Sequence, residues 1–143
     1  MIFFLALKND ISSFAAIDKK KVAWFSAHTD REGFYKLDGA FRKFGFLKKK
    51  PSSLAVALFQ QKQPNNVSWS TIRAAVAMTN ALALAWDIPL CSVLLTGEET
   101  KEEIIEKVRF VSLKAKKGEW VKAEYSGEPT ITKAKSVFLS TKL

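Results

Sequence analysis

The chain holds few groups that could do chemistry. His28 is the only histidine and Cys91 the only cysteine among 143 residues. A zinc site with two histidines is therefore out of reach. Catalysis needs converging groups, and a single imidazole after an apolar run reads as a solvent-facing or helix-start residue. Cys91 lies inside an apolar stretch and reads as an inert core thiol. Glu98, Glu99, Glu102, Glu103 and Glu106 cluster, but they alternate with Lys101 and Lys107 at helical spacing, the pattern of a solvated face. Neither Gly-x-x-x-x-Gly-Lys-Ser/Thr nor Gly-x-Gly-x-x-Gly occurs. The expectation is a protein without catalytic residues, cofactor or metal, and not an enzyme on its own.

The totals set the frame for these residues. Hydrophobic residues make up 48% of the chain, enough for a real core. The length suits one domain or one lobe of a larger architecture. A net charge of +9 suits nucleic acid, an acidic partner or anionic lipid. The lysines cluster at Lys19–Lys21, Lys48–Lys50 and Lys114–Lys117, each at an expected turn or strand end. Few aromatic residues lie between them, which argues against a stacking platform for single strands. One cysteine allows no intramolecular disulfide, so a reducing, cytoplasmic setting is the default. No apolar run reaches the roughly 20 residues of a membrane span. Met1–Leu7 reads as a buried strand rather than a signal peptide.

The elements follow from periodicity. Ile2–Leu7, Ile11–Ile17 and Val22–Ala27 are short apolar runs joined by polar turns, which predicts an antiparallel meander. A helix is expected over Asp30–Phe46, because Phe34, Leu37, Phe41 and Phe44 recur at spacings of 3 and 4. Gly33, Gly39 and Gly45 weaken it, and burial of its rings must compensate. Leu54–Phe59 reads as a central strand and Pro89–Leu95 as a strand parallel to it. Glu98–Lys107 reads as a charged helix. Val108–Ala115 and Trp120–Tyr125 read as a hairpin around Lys116-Lys117-Gly118, with Ser136–Leu139 a candidate last strand.

Between the two parallel strands lies the least charged stretch of the chain. Thr71 to Trp86 is built of alanine, leucine and methionine, which favours helix. Ser68 or Ser70 can cap it, and Pro89 stops it. A surface helix needs one apolar stripe. This one is apolar or small around most of its circumference and needs cover on more than one side. Two readings stand: a central helix sealed within its own domain, or a helix covered partly by a second protein.

Ser68-Trp69-Ser70-Thr71-Ile72-Arg73, the alanine-rich run to Trp86, and Asp87-Ile88-Pro89-Leu90 resemble the signature of the TsaB (YeaZ) family. That signature reads Gly-Pro-Gly-Ser-Phe-Thr-Gly-Leu-Arg, a run ending Ala-Leu-Ala-Leu, then Gly-Ile-Pro-Leu. The likeness is ungapped from Ser68 to Val93. Lys114-Ala115-Lys116-Lys117-Gly118-Glu119 echoes the family's Asp-Ala-Arg-Arg-Gly-Glu. The departures are specific. The family's Gly-Pro-Gly falls on Asn65-Asn66-Val67 and a further glycine on Thr71. The acid of the first strand falls on Lys8, and a later aspartate on Lys114.

The resemblance implies a fold, a role and partners. The fold is α/β, a ribonuclease-H-like (actin-type) lobe with a mixed five-stranded sheet. Residues 1–97 would form it, and 98–143 a reduced second lobe of helix, hairpin and tail. The role is a noncatalytic scaffold in the synthesis of N6-threonylcarbamoyladenosine in tRNA. The partners are a TsaD-like catalytic subunit and, as a further candidate, TsaE, with tRNA engaged indirectly and no membrane. The partner surface is expected near Phe34, Leu37, Phe41, Ile72, Arg73, Val76, Met78 and Asn80. Pairing of two copies through the same helices and a basic nucleic-acid-binding module are the alternatives.

Overall fold

Ile2–Lys8 (β1) is apolar at almost every position because both its faces are covered. Phe3, Leu5 and Leu7 enter one core and Phe4 and Ala6 another, each at most 1% exposed. The strand lies in the middle of a five-stranded sheet. Antiparallel β2 (Ile11–Ile17) pairs with it on one side, and β3 (Val22–His28) pairs with β2. Parallel β4 (Ser53–Phe59) lies on its other side, followed by parallel β5 (Leu90–Leu95). The resulting order is β3-β2-β1-β4-β5. The coordinates are a computed structural model that describes residues 1–8, 11–28, 37–59, 69–125 and 129–134.

Three described helices and a hairpin cover the sheet. Helix α1 (Leu37–Phe44) and helix α2 (Trp69–Trp86) lie on the face of Phe3 and Leu5, with a hairpin of β6 (Trp120–Tyr125) and β7 (Pro129–Ala134) beside α2. Helix α3 (Lys101–Lys114) covers the other face through Ile104 and Val108. A three-strand meander, then helix, strand, helix and parallel strand, in this order across the sheet, makes a ribonuclease-H-like α/β lobe. The helix that begins the expected second unit thus shares a core with the sheet of the first.

Several local expectations need correcting. The helix expected to run to Phe46 stops at Phe44. Gly45, at φ 76, makes the turn, with Phe46 N–H donating to the Phe41 carbonyl and Gly45 N–H to that of Arg42. That double closure is a Schellman motif. The expected helix start at Asp30 and the strand Ser136–Leu139 fall outside the described residues. Gly39 is more than a weak point: a Cβ there would meet the Phe25 ring at 3.2 Å, so glycine lets α1 lie close on β3.

Val108–Ala115 is not a strand. It continues α3, which starts from a Thr100–Glu103 capping box and ends at Lys114. Ile104 and Val108 are one turn apart and share a core, so helical burial outweighs the β-branched local composition. The hairpin partner of β6 is β7 instead. Glu99 also departs from the solvated face. Its side chain is 3% exposed, accepts hydrogen bonds from Thr96 N–H, Thr96 Oγ1 and Gly97 N–H, and pairs with Lys107 at 3.1 Å. Burial works against its charge, but these bonds outweigh it and hold the carboxyl at about 2.

Candidate partner-docking face

Helix α2 divides its circumference three ways. Ile72, Ala75, Val76, Thr79 and Ala83 are buried in the core. Asn80 faces the hairpin: its Nδ2 donates to the Val121 carbonyl at 2.9 Å, and Val121 N–H donates to its Oδ1 at 3.1 Å. The carboxamide thus satisfies one backbone position of an edge strand, as a neighbouring strand would. Trp120 and Val121 of that strand are buried in the same core. Part of the second cover that the sequence demanded is therefore internal.

The third side is open. Arg73, Ala74, Ala77, Ala81, Leu84 and Ala85 are exposed, Leu84 at 51%. Their spacing of 3 and 4 makes one continuous stripe along the helix. Its lower end is fixed by a second Schellman closure. Asp87 N–H donates to the Leu84 carbonyl and Ile88 N–H to that of Ala83, with Asp87 at φ 52. Ala83 and Ile88, the apolar pair this motif places together, are both buried in the same core.

The residues expected at a partner surface separate on this geometry. Ile72 and Val76 belong to the chain's own core, so neither can face a partner. Leu37 and Phe41 are half-buried against that core, with the Phe41 ring 5.3 Å from Trp86 and 5.6 Å from Phe3. They close the lobe. Asn80 is committed to Val121, and Met78 is half-buried against the core. Arg73 is exposed at the head of the open stripe. Phe34 lies outside the described residues. The stripe alanines were missed, although the signal was there: they recur every three or four residues on the side away from Ile72 and Val76.

Other chemical groups are engaged internally. Cys91 is buried, and burial raises its thiol above the usual range, although a 3.8 Å contact with Ser112 Oγ partly offsets this. Among the described residues, no three His, Cys, Asp or Glu side chains converge as a metal would require. No described helix is long and apolar enough to cross a membrane.

No protein-family model matches the chain, and no curated protein matches it significantly. Similar solved structures include YeaZ from Pseudomonas aeruginosa, at 15% identity and a TM-score of 0.48, covering 65% of this chain and 44% of that one. Another is an uncharacterized protein with similarity to peptidase YEAZ from Pseudomonas aeruginosa, at 16% identity and 0.48, covering 66% and 44%. RuvC from Thermus thermophilus aligns at 16% identity and 0.44, covering 77% and 78%. The chain spans less than half the length of the first two.

Proposed function

We propose that the chain is a noncatalytic, TsaB-type scaffold in the synthesis of threonylcarbamoyladenosine in tRNA, docking a TsaD-like catalytic subunit on the open stripe of α2. The observation that carries this reading is the stripe itself. Ala74, Ala77, Ala81, Leu84 and Ala85 are exposed on a helix whose other sides are already covered. Small side chains let a partner helix approach to the short end of the usual 8–10 Å range. The ungapped likeness from Ser68 to Val93 supports it. So does Asp87, which takes a left-handed turn where the family signature has glycine.

Ala77→Arg and Ala81→Arg test the reading. Both sites are exposed, and arginine is nearly as good a helix former as alanine, so the lobe should keep its circular dichroism and melting temperature. The wild type is expected to co-purify with the TsaD-like protein of its own organism, and each variant to bind it at least about tenfold more weakly, a loss of about 1.4 kcal/mol. No binding by the wild type, or unchanged binding by both folded variants, removes the proposal. A homodimer that Ala77→Arg dissolves, without any heterocomplex, replaces it by self-pairing of the stripe.

A further inference from the structure

The three lysine runs are far apart in the sequence, yet the topology gathers them at one end of the sheet. β1, β4 and β5 start there, and the three described helices end there. Cross-links between the segments fix this placement. Ser52 N–H donates to the Met1 carbonyl, Lys50 Nζ to the Trp86 carbonyl at 2.6 Å, and Arg109 to the Asp18 carbonyl. Lys117 pairs with Asp87 at 3.2 Å. Every lysine in Lys19–Lys21, Lys48–Lys50 and Lys114–Lys117 is exposed. Among the described residues, the acids at this end are Asp18, Asp87 and Glu119, and the last two are paired with Lys117 and Lys133. Glu98, Glu99, Glu102 and Glu103 lie at the opposite end, around the start of α3. The lobe is electrically polar.

Helix dipoles alone do not account for the excess. Each helix C terminus carries about half a negative charge. Three such ends are neutralised by one or two cations, and many more are present. Three of these lysines, Lys19, Lys49 and Lys50, also stand around two adjoining hollows. One, of about 540 Å³, has Lys19, Arg109 and Ser112 on its walls, with Ile17 and Leu113. The other, of about 590 Å³, has Lys49, Lys50 and Phe44, and the two share Met1, Asp18 and Ser52.

We propose that this basic end binds the phosphate backbone of a nucleic acid. Lysine ammonium groups on flexible stems, spread over three connections, meet phosphates without reading bases. A chain of phosphates can dip into concave hollows between cations, whereas a flat bilayer meets only the outermost groups. The inference goes beyond the scaffold reading and does not depend on it: the stripe runs along the length of α2, and the basic end adjoins only its last turn at Leu84–Asp87.

Fluorescence anisotropy of the whole chain with a labelled, tRNA-sized folded RNA tests it. Binding at 50 mM salt should weaken toward 200 mM with a log–log slope of about −3 or steeper. Lys20→Glu, Lys48→Glu and Lys116→Glu should each lower affinity about three- to tenfold at 50 mM, as loss of a phosphate contact does. Lys101→Glu, the same change at the opposite end, should stay within about twofold. Equal losses from Lys101→Glu and the others, a slope shallower than about −1, or tighter binding to phosphatidylserine vesicles than to RNA overturns the proposal. Ala77→Arg should leave RNA affinity unchanged, so failure of the docking stripe and failure of the basic end are read separately.

Discussion

Asp87 holds a left-handed backbone, φ 52, that closes α2. A Cβ in that region clashes with the following carbonyl, a cost of about 1–2 kcal/mol that glycine escapes. The Lys117 pair returns little, because both side chains are well exposed. Asp87→Gly is therefore expected to stabilise the lobe by about 1 kcal/mol, seen as a higher urea midpoint at constant slope. Glu99 carries the opposite kind of signature. Its carboxyl sits at about 2 in the fold against an ordinary 4.5, so its stabilisation is complete above about pH 5 and fades as pH falls toward 2. On the order of 2 kcal/mol should be lost across that window. Glu99→Gln should flatten that part of a stability–pH curve. An unchanged acid limb in the variant would show that other groups set it.

At the scale of elements, α2 and the hairpin act as one unit. Asn80 supplies both partners of the Val121 peptide, and Asn80→Ala leaves a donor and an acceptor on β6 unpaired. The expected loss is about 2–3 kcal/mol, with faster amide exchange at Val121 as the diagnostic readout. Equal exchange in variant and wild type would mean that packing alone holds the strand. Much of this level could be read from the chain. The runs at Ile2 and Leu54 gave themselves away because central strands are apolar throughout, and those at Ile11 and Val22 because polar turns bound them. The second half of α3 did not. Val108, Phe110 and Val111 look like strand residues locally, and only burial of Ile104 and Val108 on one sheet face selects the helix. The docking residues were legible in part. The alanine content marked the right helix, but its buried and open sides differ only in which neighbours exist, and a single sequence does not show the hairpin returning to one flank.

Across the whole molecule, the two proposed surfaces have different physical origins. The α2 stripe is apolar and short-ranged, while the basic end acts through a field that salt screens within about 8–10 Å. Raising ionic strength should therefore separate them. The hairpin clamp also bears on how the protein can be divided. This strand cannot shift by one residue without unseating Trp120 and Val121 together from the core and abandoning the carboxamide at position 80. Anyone trimming this protein to its five-stranded plate by cutting ahead of residue 120 would strip a greasy flank bare. The resulting stickiness would belong to the shears and say nothing about the natural assembly.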